Sequence, residues 1–282
     1  MHHPLAKSHD NCGLIVGDPK MEVVKALISL DCIEDTIQEA IESGCNLVIA
    51  HHPIVFKGLK KLNGSDYVQR TVIKAIKYDI AVYAIHTNLD NYRFGVNAEI
   101  GRRLGLENLQ ILAPKKDVLN KLVVLVPDDH ADELSETLFA AGAGNIGNYL
   151  ECSFSSSGKG TFKPMDGSNP FAGAVGEREN SNEVKLEVIV SSHGLRKVVA
   201  AMFEAHPYEE VAYEIYAILN ENKFEGAGMV GDLPNSIAEL DFLAHVKKEF
   251  QCKVIRHTEL QNKPISRVAF CGGAGSFVIE RC

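Results

Sequence analysis

The 282-residue sequence contains no apolar run that approaches the length of a membrane span. Stretches such as "LVIA" and "LVVLV" fall far short of the roughly twenty residues that a bilayer requires. Blocks of Lys or Arg dense enough to follow a phosphate backbone are also missing: 29 basic residues face 37 acidic ones, for a net charge of -8. Both a spanning protein and a nucleic-acid binder are disfavoured. The seven cysteines form no CxxC pair, and the opening "MHHPLAKSHDN" lacks the apolar centre of a secretory signal. A soluble cytoplasmic protein with reduced thiols is the expectation. His2 and His3 sit in no strand or helix pattern and read as a tag or linker remnant.

Core material, by contrast, is ample: 45% of the residues are apolar, enough for two domains or one with an insertion. The first part alternates short β-rich runs with helical ones, the order of parallel βαβ units. "GLIVG", "VVKALISLD", "NLVIAHH" and "AVYAIHTNLD" predict strands. "IEDTIQEAIESG", "DYVQRTVIKAIKYD" and "NAEIGRRLG" predict helices, the first with Ile33, Ile37, Ala40 and Ile41 on one face and Gly44 as its stop. These elements make a layered α/β domain over residues 1–119.

From about Asn120 to residue 232, "KLVVLVP", "HADELSETLFAAGA", "NYLECSFS", "EVKLEVIVS", "LRKVVAAMFEAH" and "VAYEIYAIL" predict an inserted ferredoxin-like α+β domain. Within it "SSSGKGTFKPMDGSNPFAG" reads as an exposed hairpin or mobile loop. Residues 233–282 return to the α/β domain, with "SIAELDFLAHVKKEF" as helix and "KVIRH" and "ISRVAF" as strands. The last helix has hardly a turn or two to cover the sheet, so the sequence is expected to stop short of the natural domain end.

In an open α/β sheet the ligand site lies beyond the carboxyl ends of the strands. "LVIAHHPIVF" ends one strand in His51 and His52, and "AVYAIHTNLDN" supplies His86 and Asp90 from another. Pro53 ends the first strand at the pair, so the two imidazoles need not point to opposite faces and could each reach one of two closely spaced ions. Imidazoles with a carboxylate suit zinc first, then manganese or iron, rather than calcium or magnesium. The plainer alternative has both histidines capping the strand and Asp90 capping a turn with Asn88 and Asn91. From residue types alone the two readings stay open.

Other groups carry weaker signals. "CGGAGS" follows a strand, and its backbone N–H groups with Ser276 as cap could hold a phosphate, although it lacks the Walker and GxGxxG spacings; a tight turn is the plainer reading. "HPYEE", His206 to Glu210, could line a cavity or an assembly contact. His9 and Asp10 precede the first strand. His130, His193, His245 and His257 read as solvated. Cys12, Cys32, Cys45, Cys152, Cys252, Cys271 and Cys282 read as buried, unreactive thiols.

Five motifs in fixed order, "DNCGLIVGDP", "NLVIAHHPIVFKGLKKL", "AVYAIHTNLDN", "AHPYEEVAYEIYAIL" and "AFCGGAGSF", resemble the NGG-one-interacting-factor-three-like family, also labelled GTP cyclohydrolase 1 type 2 homologue. The likeness runs from about Leu5 to Cys282. It implies a toroidal homohexamer of α/β subunits with a dinuclear metal centre. In that pattern His51 and His52 match the paired ligands, Asp90 matches the bridging carboxylate, and His86 stands at the site wall. Asp10 and Asn11 match the opening motif, in turn and wall roles. The family adds a His and a Glu from a later C-terminal segment that this sequence does not contain. Two ions there imply water activation and hydrolysis, with His86 as proton shuttle and a nucleotide as the suggested substrate. A metal-binding regulatory or interaction protein without turnover is the rival class.

Overall fold

The computed structural model describes residues 10–281; His2, His3, His9 and Cys282 lie outside them. The chain forms two compact units, residues 1–113 with 224–282, and residues 114–223. These divisions fall several residues before the positions expected from the sequence.

The first unit runs β1 (Gly13–Val16), β2 (Ala26–Ser29), α1 (Glu34–Glu42), β3 (Leu47–Ala50), α2 (Tyr67–Lys77), β4 (Ala81–Ala84), α3 (Thr87–Asp90) and α4 (Val96–Arg103). Its sheet has the order β1-β4-β3-β2. β2, β3 and β4 are parallel, and β1 joins β4 antiparallel. Burial follows the strand pleat, with Val48 and Ala50 of β3 and Val82 and Ala84 of β4 buried. Against them α1 lays Ile37 and Ala40, and α2 lays Val72 and Ala75, at the three-residue spacing that keeps one helical face apolar. Ile33, expected on that face, is the N-cap residue of α1 and is exposed. The side chain of Asp66 starts α2 by accepting from the Gln69 N–H at 2.9 Å.

The strand expected over "AVYAIHTNLD" stops at Ala84, and Thr87–Asp90 makes the short helix α3. Gly95 closes the turn between α3 and α4: a Cβ there would lie 1.8 Å from the Leu89 carbonyl oxygen, which leaves room only for glycine.

The second unit is entered through β5 (Glu107–Lys115) and contains β6 (Leu119–Pro127), α5 (Ala131–Ala141), β7 (Ser153–Phe162), β8 (Glu179–Ser191), α6 (Leu195–Ala205) and β9 (Tyr213–Ile218). The order β7-β8-β6-β9, with antiparallel pairing throughout, is the ferredoxin-like β-α-β-β-α-β arrangement. One sheet face carries Leu122, Val124, Val126, Leu186, Val188 and Val190 against Leu134, Leu138, Val198 and Met202 of the two helices. Each fully buried aliphatic side chain contributes about 1.5–3 kcal/mol. On the opposite face, polar pairs such as Lys121 with Glu187 at 2.8 Å meet solvent.

Three expectations are sharpened by the structure. Of the two readings of "SSSGKGTFKPMDGSNPFAG", the hairpin holds: "SSSGKGTF" lies in strand β7, because β8 is long enough to pair with it as far as Phe162 opposite Glu179, and the stretch 163–178 connects the two strands. "KVIRH" forms no strand: no neighbour pairs with it, and Val254 is exposed. The returning chain belongs to the first unit, as expected, but adds no strand to its four-stranded sheet. Instead β10 (Asn222–Ile237), followed by α7 (Glu239–Glu249) and β11 (Ile265–Phe270), makes a separate three-stranded sheet in the order β11-β10-β5. No helix among the described residues is long and apolar enough to cross a membrane.

Candidate metal centre

β2, β3 and β4 run in register, so their carboxyl ends come out side by side, and the residues just past each strand share one edge. After β3, the His51 N–H donates to the Ser29 carbonyl at 3.1 Å and the His52 N–H to the Leu30 carbonyl at 2.9 Å. The backbone of both histidines is therefore tied to the extension of β2. Their rings nevertheless converge, with centroids 5.0 Å apart and planes inclined at 57°. His86, two residues past β4, brings a third imidazole, 5.4 Å from His51 and 5.8 Å from His52 between centroids. One donor atom from each of the three lies within 4.8 Å of the others. A single tetrahedral ion with bonds of 2.0–2.1 Å needs nitrogens about 3.4 Å apart, so modest ring rotations would close the set.

Two carboxylates orient these rings. His52 Nδ1 lies 2.7 Å from Asp31, which lies just past β2, and both groups are about half exposed. His86 Nδ1 lies 2.8 Å from Asp10, whose side chain is 1% exposed. With Nδ1–H given to a carboxylate, Nε2 is left with its lone pair, the arrangement that ligating histidines adopt. The His51 ring makes no hydrogen bond among the described residues.

Asp10 is the most heavily engaged group of the site. Besides His86, it accepts from the Asn11 N–H at 2.8 Å, the Cys12 thiol at 3.2 Å, and the Thr87 N–H and hydroxyl. Burial alone would raise its pKa, but the hydrogen bonds from Thr87, His86 and Cys12 outweigh burial and hold the carboxyl well below the usual carboxylate range. The thiol of Cys12 is pushed up, by burial first, and so stays protonated as a donor. Asp10, Cys12 and His86 also form a second potential ligand group. A buried carboxylate already saturated with donors, next to a protonated thiol, fits an orienting role better.

Asp90 ends α3, one turn past His86, and belongs to neither group of converging donors. Its backbone carbonyl accepts from Asn97 Nδ2 at 2.9 Å, and its carboxylate faces the glycine turn after β11, 3.8 Å from where a Cβ on Gly273 would stand. The structure thus brings together His51, His52 and His86, while Asp90, matched to the metal motif, is not among the converging donors.

From the sequence, Asp10 carries only a turn-and-wall expectation, and Asp31 carries none. Both are acids at strand ends on the same edge as the histidines, and that common edge is the signal that could have found them.

The other candidates fall elsewhere. The "CGGAGS" turn leads only into a six-residue 3-10 helix, Ser276–Arg281, and its Gly272 N–H is taken by the Asn97 side chain at 2.8 Å. With an aspartate beside Gly273 as well, it is a structural turn rather than a phosphate cradle. His245 is not solvated but half-buried, 3.1 Å from the Leu104 carbonyl, which it holds against α7. His130 stacks edge-on with Phe171 and pairs with Asp129, His193 meets the Ser191 hydroxyl, and His257 meets the Thr258 carbonyl. Cys12, Cys32 and Cys45 are buried as expected, and burial pushes Cys32 up to about 11; Cys152 and Cys271 are only half-buried, and Cys252 is exposed.

His206 of "HPYEE" is buried in the ferredoxin-like unit. Its Nε2 donates to the Leu125 carbonyl at 2.9 Å, and its Nδ1 accepts from the Tyr208 N–H at 3.0 Å. That pair fixes one neutral tautomer, because a proton on Nδ1 would confront the Tyr208 N–H. Burial lowers the His206 pKa accordingly. Below the ordinary histidine pKa of 6.5 the unfolded chain binds a proton that the folded unit refuses, so stability is full above that pH and declines as pH falls beneath it. His206→Gln should flatten this decline in thermal melts between neutral pH and pH ~5.5. An unchanged pH dependence in the variant would mean that another group governs it.

The chain with this histidine cluster matches Duf34/NIF3 (NGG1p interacting factor 3) over residues 1–282. It belongs to the Duf34/NIF3 family. Among relatives in this family, the Halalkalibacterium halodurans protein named GTP cyclohydrolase 1 type 2 homolog is 43% identical over 273 residues, covering 96% of this chain and 73% of the relative. The Bacillus subtilis protein of the same name is 40% identical over 272 residues, with the same coverage. A crystal structure of a Bacillus cereus protein related to NIF3 superimposes with a TM-score of 0.82 at 40% identity, over 98% of this chain and 74% of that one. A Staphylococcus aureus protein gives a TM-score of 0.69 at 29% identity, over 96% of this chain and 71% of that one. The mixed α/β fold is thus that of the NIF3 proteins.

Proposed function

We propose that the chain is a metal-dependent hydrolase acting on a nucleotide, with a dinuclear zinc centre held by His51, His52 and Asp90. The observation that carries this reading is the convergence of three imidazoles at one sheet edge, two of them with Nδ1 bound to a carboxylate. This donor set is richer in nitrogen than calcium or magnesium sites, and manganese or iron are the next candidates after zinc. When bound, such ions supply Lewis acidity that makes water a nucleophile near neutral pH.

The protein's own groups do the remaining work. His51 and His52, tied through their backbones to the strand beside them, offer ring nitrogens at fixed positions. Asp31 sets the His52 tautomer. His86 keeps Nδ1–H on Asp10, so its Nε2 takes a proton from the attacking water and returns it to the leaving group. Asp10 stays ionised throughout and stabilises the imidazolium that forms.

The name of the relatives suggests GTP as substrate: one water would add at C8 and open the ring to a formamide, and a second water would hydrolyse the formamide to release formate. Incubation with a nucleotide panel and zinc or manganese should give metal-dependent turnover of at least one nucleotide, lost on Asp90→Ala; formate release would identify GTP ring opening. Absence of turnover across the panel, with the metal bound, would instead favour a regulatory metal-binding protein. The cavity in the ferredoxin-like unit, distinct from the histidine cluster, lends that second reading its support. In either role the protein is proposed to work in the cytoplasm as a homohexamer. Exposed Ile28 on the edge strand β2, with Val24 and Leu30 flanking it, supports self-association.

A further inference from the structure

We infer that the ferredoxin-like unit carries a binding site for a small organic ammonium compound, separate from the histidine cluster. The site is a half-open cavity of about 410 Å³ formed within residues 114–223, in the size range of small-molecule pockets. Its walls are aromatic: Phe162 and Phe171 stand 5.8 and 6.0 Å from Tyr208 between ring centroids, inclined to it at 61° and 47°. Met165 and two prolines of the 163–178 loop complete the apolar surface.

The carboxylate of Glu183, a residue only 7% exposed, also lines this cavity. Its hydrogen-bond donor is the Tyr208 hydroxyl, at 3.0 Å, and among the described residues no cation pairs with it. The chain makes room for this acid: at Gly160, near the end of β7, a Cβ would stand 2.1 Å from Glu183 Oε2. A neutral apolar ligand filling the cavity would strip the remaining water from this carboxylate, which is costly without a compensating charge. An anion would face Glu183, Glu209 and Glu210 against the single exposed Lys163. A bare divalent ion would find too few converging oxygens, since among the described residues Glu183, Glu209 and Glu210 belong to no group of three or more close donors.

An alkylated ammonium group satisfies each constraint. Its charge neutralises Glu183, and its alkyl groups lie against ring faces whose quadrupole attracts cations. The inference goes beyond the hydrolase reading and does not depend on it.

Titration calorimetry on the whole chain tests it, with choline as the cation and 3,3-dimethylbutan-1-ol as the neutral compound of the same shape. Choline is expected to bind saturably at millimolar or lower concentration, with the alcohol weaker by about tenfold or more. Glu183→Gln, which keeps an acceptor for Tyr208, should reduce choline binding by a similar factor and leave the alcohol unchanged. Phe171→Ala, at a position already 54% exposed and so without risk to folding, should weaken choline several-fold. Equal binding of the two compounds, or no saturable choline binding at millimolar concentration, would overturn the assignment.

Discussion

Asp10→Ala should lower the stability of the first unit by about 3 kcal/mol or more, since each buried donor left without an acceptor costs about 1–3 kcal/mol. The loss arises because the His86 ring, the Thr87 N–H and hydroxyl and the Cys12 thiol all donate to this one carboxylate at a nearly solvent-free position. Without it those donors have no acceptor, and neither Ala nor a water fitting the vacated space restores all of them at once. Asp10→Asn keeps one oxygen but turns an amide N–H₂ toward donors, so it should fall between wild type and alanine. Urea unfolding of the three proteins measures the order. A variant Asp10→Ala as stable as wild type would show that the donors find other acceptors, and the orienting role given to Asp10 would be lost.

His51→Ala and His52→Ala carry the other large expectation. Each should weaken zinc binding by more than Asp31→Ala does, and loss of such an orienting carboxylate typically costs about 10- to 100-fold. The ranking comes from geometry: Asp31 acts on metal only through His52 Nδ1, whereas the two histidines offer their own nitrogens. Competition against a chromogenic zinc chelator reads all three affinities. If Asp31→Ala proved as damaging as the histidine changes, the exposed Asp31 carboxylate would have to be counted as a ligand itself.

Much of this site was legible in the sequence, for a definite reason. Parallel βαβ units place strand ends on one edge, and apolar runs that finish in histidine mark that edge without any knowledge of three-dimensional contacts. The ferredoxin-like unit was legible on the same grounds, since its strands alternate and its helices carry one apolar face. Long-range pairing was not legible. Asp10 meets His86 across 76 residues and Asp31 meets His52 across 21, and neither acid differs locally from one that caps a turn. β7 could be read only as hairpin or loop because Ser and Gly dominate it, and its strand conformation comes from the long neighbour β8 rather than from its own propensity. The three-stranded sheet escaped for a similar reason: β10 holds several glycines, and its partners come from distant parts of the chain.

The most direct test is the metal content of the purified chain beside that of the His51→Ala, His52→Ala double variant, by elemental mass spectrometry after identical zinc loading and dialysis. The account predicts zinc retained by the wild type and little or none in the variant. Equal zinc in the two proteins, or none in either, would contradict it.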